Sequence, residues 1–331
     1  MTIEEFRASP LPNIHIKMLI TAHEAYMEWK LLMKLNSNNT ALKDLILARE
    51  IYFNHILMGN DCITYDDIIV DTFAKDRNVY ESCISYAKEC ISKNATLTSE
   101  DIIRINEAFL HNTAESLTAP IPESCYNDSL IWEILKDLYN PKSEFPKMIE
   151  LAIAIYRLYT LSKEYEQIDI KTLSVLASYI LADNENLIVM SKAWIVLFDG
   201  SNKSLIGKAD YMVFEILCAF SFAFADSIKF TKLIQDKTMK MQIELKSQLP
   251  KLYSEKLAAL LGNSFCLRNS LLESELDVSL KTAISYLKEL SEKRFLKAVK
   301  VSKGLYYFNT FFYDALQECG EQKWREKAKD I

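Results

Sequence analysis

Apolar residues recur at helical spacing over most of the chain, and the pattern predicts two long helices near its beginning. The first run repeats apolar positions from Ile14 to Met27, and the second extends over Leu42–Met58. Repeats of three and four residues place such side chains on one face of a helix. Gly59-Asn60 follows the second run and predicts its end, because both residue types adopt the left-handed conformation that stops a helix.

The helical spacing continues to about residue 247. Thr64 and Asp67 have the spacing of a capping box and predict the start of a helix that ends at Phe73. Further helices are predicted at Asn78–Ser92, at 98–110, at 146–161, at 172–181, at 187–198, at 209–226 and at 227–247. Gln248-Leu249-Pro250 is the predicted domain boundary, since proline interrupts a helix.

The pattern changes after this boundary. Three shorter helices are predicted at Ser254–Leu261, Leu267–Leu276 and Ser279–Lys293. The buried stripe of the third is expected to consist of Ala283, Ile284, Leu287 and Leu290. Alternating residues then predict a strand over Phe295–Val301, a turn at Ser302-Lys303-Gly304 and a returning strand over Leu305–Phe308.

These patterns predict a mainly α fold with two domains. Residues 1–248 form a helical domain, residues 250–318 a small α+β domain, and residues 319–331 a charged C-terminal tail. The composition agrees, because only 6 of 331 residues are glycine and 50% are hydrophobic. The net charge of -6 argues against nucleic-acid binding by the whole surface and leaves only a local basic patch for that role.

Cysteine and histidine give no framework for a metal or disulfide site. The seven cysteines are scattered, odd in number and without CxxC spacing, which favours reduced thiols. His15 and His23 lie eight residues apart without a third ligand at suitable spacing. We therefore expect no metal and no cofactor.

The sequence predicts a cytoplasmic protein. The N-terminus, MTIEEFRASPLP, has no apolar segment of the kind found in signal peptides. The most apolar stretch, Leu217–Ala225, is about half as long as a membrane span and is expected to be a core helix.

The segment Leu158–Leu176 follows features that resemble a known family. Residues 121–140 read IPESCYNDSLIWEILKDLYN, and Pro146 begins the apolar run PKMIELAIAIYRLYTL. A Pro-Pro-Glu type segment, a helix and a second helix that starts at proline resemble, in this order, the Fic (Fic/DOC) domain. The resemblance covers residues 10–245 and implies a Fic-like α-helical bundle.

In that family the second helix leads into a motif with a histidine base, a Mg²⁺-binding acidic residue, a glycine-rich phosphate turn and two arginines. The resemblance places at these positions Ser162, Glu166, the triplet Gln167-Ile168-Asp169, Ile170 and Leu173. Only the glutamate keeps its residue type, and neither serine alone nor isoleucine and leucine supply a base or a phosphate ligand. The resemblance therefore implies a degenerate motif, a pseudoenzyme without ordinary AMP transfer.

Two further departures agree with this implication. Many members carry an inhibitory helix with a glutamate that blocks ATP, and Met58 stands at that position here. The connection between the helix ending at His111 and Pro122 is also too short for the hairpin that docks target peptides in active members.

The C-terminal pattern resembles the winged helix that often follows a Fic domain. Thr282, Ala283, Tyr286, Leu287 and Leu290 match the Thr-Ala-x-x-Tyr-Leu-x-x-Leu string of its recognition helix. Between positions 279 and 303, seven basic residues stand against two acidic ones, a local balance of +5. The expected DNA-binding residues are Ser279, Lys281, Thr282, Ser285, Lys288, Lys300 and Lys303.

Three functions remain open from the sequence. The favoured hypothesis is a catalytically inactive Fic-like protein that binds double-stranded DNA or acts as a regulatory interaction protein through its winged helix. The alternative is a divergent nucleotidyl or phosphoryl transferase with altered residues around Glu166. The third is a structural role, with a protein partner or a homodimer formed through the Fic-like helices and the winged helix used only for packing.

Overall fold

The computed structural model describes residues 2–57, 62–74, 79–94, 96–120, 128–140, 145–165, 168–181, 188–198, 208–301 and 304–319. Over these residues the chain is mainly helical with one small antiparallel sheet, so the predicted mainly α class is confirmed. The helices are α1 (Ile3–Ala8), α2 (Asn13–Leu35), α3 (Thr40–Leu57), α4 (Tyr65–Ala74), α5 (Val79–Asn94), α6 (Ser99–His111), α7 (Asp128–Tyr139), α8 (Lys147–Tyr165), α9 (Ile170–Leu181), α10 (Met190–Phe198), α11 (Ala209–Gln248), α12 (Glu255–Asn263), α13 (Asn269–Leu276), α14 (Leu280–Glu292) and α15 (Thr310–Cys319). A 3-10 turn spans Ala114–Leu117, and the strands are β1 (Cys266–Leu267), β2 (Leu296–Val301) and β3 (Gly304–Asn309).

Packing divides the chain into two compact units. The first contains Met1–Lys30, Phe53–Asp61 and Arg77–Ala225. The second contains Leu31–Tyr52, Cys62–Asp76 and Asp226–Ile331. Helices α2, α3 and α11 contribute residues to both units, and the domain boundary expected at 248–250 stays a prediction of the sequence.

In the first unit, α8 is a core helix. Its run Leu151–Ile155 is buried on every side, and α8 packs against α7 and α9. Pro146 precedes the helix, and its carbonyl accepts hydrogen bonds from the amides of Ile149 and Glu150. The proline therefore starts α8 as the sequence predicts, since it needs no intrahelical partner for its own nitrogen.

Helix α11 corrects one expectation. Residues 209–226 and 227–247 form one helix of 40 residues, because no proline or glycine interrupts them. Within the described residues, α11 also contains an 18-residue window that is long and apolar enough to cross a membrane, which the shorter run Leu217–Ala225 did not suggest. Since 56% of that window is buried and core helices meet the same criterion, the window is weak evidence for a membrane span.

In the second unit, residues 254–319 form what we call the C-terminal segment. Its sheet has the order β1-β3-β2, with Cys266 opposite Phe308 and Lys300 opposite Leu305. The second predicted helix starts late, at Asn269, because Cys266 and Leu267 are drawn into the sheet. Helices α12, α13 and α14 bury Leu257, Leu272 and Leu287 in a common core.

A buried asparagine at the end of β3 connects three elements of the C-terminal segment. Asn309 is fully buried, its Nδ2 donates to the Leu261 carbonyl at 2.9 Å, and its Oδ1 accepts from the amide of Phe311 at 3.1 Å. It thereby connects the end of β3 to both α12 and α15. A polar side chain with satisfied hydrogen bonds at such a junction favours one defined arrangement.

Candidate functional site

The first candidate region is the connection from α8 to α9, where the sequence resemblance locates a degenerate catalytic motif. Ser162 lies in the last turn of α8, but its side chain is outside the described residues, as are Glu166 and Gln167. Leu158 and Leu161 lie on the buried face of α8. The described part of the motif is therefore the segment from Ile168 to Leu173.

Asp169 occupies the N-cap position of α9. Its Oδ1 accepts from the amide of Lys171 at 2.8 Å, and its Oδ2 lies 3.4 Å from the Lys171 ammonium. A carboxylate at an N-cap satisfies free helix amides and lies favourably in the positive end of the helix dipole. The electrostatic role that a bound phosphate would take at this helix end is filled by the protein's own aspartate.

Asn106 of α6 forms hydrogen bonds to the same N-terminal end of α9. Its Oδ1 accepts from the Asp169 amide at 2.6 Å and from the Thr172 hydroxyl at 3.1 Å, and its side chain is 0% exposed. Leu173, at a position where the family has arginine, is only 1% exposed. Ile168, Thr172 and Leu173 are therefore core residues, neither Ile170 nor Leu173 offers a basic side chain for an anion, and the ammonium of Lys171 lies beside the Asp169 carboxylate.

No described group of three or more histidine, cysteine, aspartate and glutamate side chains is arranged to hold a metal ion. His15 is buried, where its Nε2 lies 2.6 Å from the Asp210 carbonyl and its ring packs on Phe6 and Phe214. The six described cysteines form no disulfide with one another, and Cys125 lies outside the described residues. Burial raises the pKa of Cys83 and of Cys266 to about 12, so both are thiols at neutral pH.

The second candidate region is helix α14 of the C-terminal segment. Asp277 adopts the left-handed conformation, with φ of 54°, and ends α13. Ser279 then caps α14, because its Oγ accepts from the amide of Thr282 at 3.3 Å. At the far end the amide of Phe295 donates to the Leu290 carbonyl, which closes the last turn around Arg294, also left-handed with φ of 62°. Both ends of α14 are therefore fixed.

The buried face of α14 differs from its prediction at one position. Ala283, Leu287 and Leu290 are fully buried as predicted, but Ile284 is 45% exposed. Leu280 is 50% exposed on the same side. The expectation for Ile284 was wrong because the stripe that packs on α13 and β2 is narrower than the apolar pattern in the sequence.

The remaining candidate residues of α14 are arranged around these two side chains. Lys281, Ser285 and Lys288 are exposed, and Thr282 is half-buried. The hydroxyls of Ser279 and Thr282 lie 3.0 Å apart, so each already has a partner within the cap. The helix thus presents a surface with two lysines, one free hydroxyl and two aliphatic side chains.

The hairpin contributes lysines of two kinds. Lys300 is exposed near the tip of β2 and, among the described residues, has no carboxylate at ion-pair distance; the same is true of Lys281. Lys297 instead lies 2.9 Å from Asp66 of α4, and this hydrogen bond raises the pKa of Lys297 above its ordinary value. Lys288 pairs with Glu292 only at 3.9 Å and in full solvent, and Lys303 lies outside the described residues.

The sequence did not reveal the partner of Lys297. Its ammonium also lies 4.7 Å from the ring centroid of Tyr313, and together with Asp66 it borders a cleft of about 190 Å³. The remaining lining residues are Ile69, Val299 and Phe308. A contact over more than 200 residues of sequence leaves no local pattern that could have predicted it.

Comparison with known proteins adds no identity to this geometry: no protein-family model matches the chain, and no curated protein matches it.

Proposed function

We propose that the C-terminal segment is a winged helix that binds double-stranded DNA, with α14 as the helix that enters the major groove. The helical part is then a Fic-like bundle without transferase activity, and the chain acts in the cytoplasm as a regulatory DNA-binding protein. The observation that carries the proposal is the outer face of α14, which is exposed, is capped by a hydroxyl and lies beside Lys281 and Lys300, neither of which has a carboxylate at ion-pair distance among the described residues.

The order of elements supports this proposal. Helices α12, α13 and α14 are followed by the hairpin of β2 and β3, and the short strand β1 completes the sheet. In helix-turn-helix proteins the helix that follows the turn contacts base edges with its N-terminal residues. Here α14 follows the tight turn at Asp277, and the residues of its N-terminal half that face solvent are Leu280, Lys281, Ile284 and Ser285.

The charge distribution supports it as well. The chain has a net charge of -6, whereas residues 279–303 have a local balance of +5. One of these positive charges is neutralised within the protein, because Lys297 forms an ion pair with Asp66 of α4. Lys281 on the helix and Lys300 on the hairpin remain for phosphate contacts, which supply most of the affinity of such interfaces.

The region around Asp169 supports the second part of the proposal. A nucleotide needs an open helix end or cationic side chains for its phosphates. At the start of α9 the capping position instead carries the carboxylate of Asp169, and the ammonium of Lys171 at the same helix end already lies 3.4 Å from that carboxylate. Glu166, on which the alternative of a divergent transferase rests, lies outside the described residues.

The test compares two variants of equal charge change. Lys281→Glu/Lys300→Glu alters the proposed interface, and Lys17→Glu/Lys88→Glu alters two exposed lysines of the first unit. Binding of a fluorescent 30-base-pair duplex is measured by polarisation at low salt. We expect the first variant to lose affinity by at least about tenfold per lysine, because each becomes repulsive to phosphate, and the second to lose much less. Equal losses in both variants would contradict the proposed interface.

A further inference from the structure

The exposed face of α14 carries two apolar side chains that phosphate binding does not explain. Leu280 is 50% exposed and Ile284 is 45% exposed. They are four residues apart, so they lie side by side on the helix surface, and Lys288 continues the same row. Single exposed aliphatic side chains are ordinary on a protein surface, but these two are adjacent and lie within the proposed interface, where they form a small apolar patch that the ligand can bury.

Their position along the helix matches the part that meets base edges. Leu280 is the first residue of α14 and Ile284 the fifth. Lys288 lies eight residues beyond Leu280, which is about 12 Å along a helix axis. With the N-terminal residues of α14 at the base edges, Lys288 lies beyond them on the same row and is placed to contact a phosphate.

The chemistry of the groove selects the base. Hydrogen-bonding groups line most of the major-groove edge, and the one apolar group there is the C5-methyl of thymine. We propose that Leu280 and Ile284 contact thymine methyl groups, so that the ligand of this site is A·T-containing duplex DNA. This inference rests on the proposed function and adds to it a base preference.

Charge favours DNA over a protein as the occupant of this face. The two aliphatic side chains are bordered by Lys281 and Lys288, and Lys300 is exposed on the hairpin of the same segment. An apolar centre within a basic border complements a base edge between two phosphate strands.

The experiment uses two duplexes that differ only in the methyl group. The intact chain is titrated into 30-base-pair alternating dA·dT and alternating dA·dU duplexes at one salt concentration. Wild type is expected to prefer dA·dT by about fourfold for each methyl group it buries, which corresponds to about 0.8 kcal/mol. Leu280→Ala/Ile284→Ala is expected to bind both duplexes equally, at the affinity that wild type has for dA·dU.

Two control variants separate this contact from other effects. Lys281→Ala is expected to weaken binding to both duplexes by the same factor and to keep the preference for dA·dT over dA·dU. Ile243→Ala removes another exposed aliphatic side chain, on α11, and is expected to change neither value. All four substituted positions in these variants are exposed, and equal thermal unfolding of the variants checks that the fold is kept.

The outcomes distinguish the two proposals. Equal binding of dA·dT and dA·dU by wild type overturns the methyl contact and leaves the DNA-binding function standing. A preference that persists in Leu280→Ala/Ile284→Ala also overturns it, since the methyl group is then read elsewhere. Failure of wild type to bind either duplex overturns the proposed function itself.

Discussion

The first turns of α9 and α14 are two helix N-termini with opposite surroundings. At α9 the cap is the carboxylate of Asp169, whose side chain is 8% exposed and lies above the fully buried Asn106. At α14 the cap is the hydroxyl of Ser279, and the residues that follow are exposed. Both caps satisfy helix amides, but only the second leaves the positive helix end open to a ligand.

The comparison shows how a helix end can be kept for structure or made available for binding. A buried cap with its own negative charge contributes to the stability of the fold and repels an anion. An exposed neutral cap beside Lys281 contributes less stability and attracts one. Mutations at the two ends should therefore change different measured quantities.

The largest effect is expected at Asn106. The Oδ1 of Asn106 accepts hydrogen bonds from the Asp169 amide and the Thr172 hydroxyl. Asn106→Ala removes this acceptor, and both donors lose that hydrogen bond. We expect the free energy of unfolding in urea to fall by about 3 kcal/mol, with DNA affinity unchanged.

Thr172→Val is the matched control for this change, because it removes one of the two donors and keeps the shape of the side chain. It should cost about 1 kcal/mol. If Asn106→Ala cost no more than Thr172→Val, the account of the α9 terminus as a structural cap would be wrong.

An intermediate effect is expected when the α14 terminus is given the character of the α9 terminus. Ser279→Asp keeps a capping oxygen, so the free energy of unfolding should stay within about 0.5 kcal/mol of wild type. DNA affinity should fall about tenfold, because the new carboxylate faces phosphate. Ser279→Asn caps equally well without charge and should bind like wild type; a similar loss in both variants would exclude an electrostatic cause.

The smallest effect is expected at Lys297. Its charge is balanced by Asp66 at 2.9 Å, whereas Lys300, three residues further along the same strand, is unpaired within the described residues. Lys297→Ala should leave the salt dependence of DNA binding unchanged, and Lys300→Ala should reduce its slope by about 1. Equal slopes for the two variants would remove the distinction between paired and unpaired lysines.

Much of the fold was predictable because its signals are local. The cap at Thr64 and Asp67, the start of α8 after Pro146 and the hairpin of β2 and β3 all follow from residues near in sequence. The continuous α11 was predicted as two helices, although no helix-breaking residue separates them. Strand β1 was missed because its two residues pair with β3, about 40 positions away, and an isolated pair carries no periodicity.

The candidate site was predictable in composition but not in geometry. Lys281, Ser285 and Lys288 were among the DNA-binding residues expected from the sequence, and all three are exposed. Helical spacing placed Ile284 in the core, because periodicity cannot tell how wide a stripe the neighbouring elements cover. The neutralisation of Lys297 by Asp66 depends on tertiary contact alone.

The most direct test of the central claim is the salt dependence of duplex binding by the intact chain between 50 and 200 mM salt. The account predicts that the logarithm of affinity falls with the logarithm of salt concentration with a slope of about -3, one unit each for Lys281, Lys288 and Lys300. The Lys281→Ala/Lys300→Ala variant should reduce that slope to about -1. No binding at the lowest salt, or an unchanged slope in the variant, would contradict the claim that this face of the C-terminal segment binds DNA.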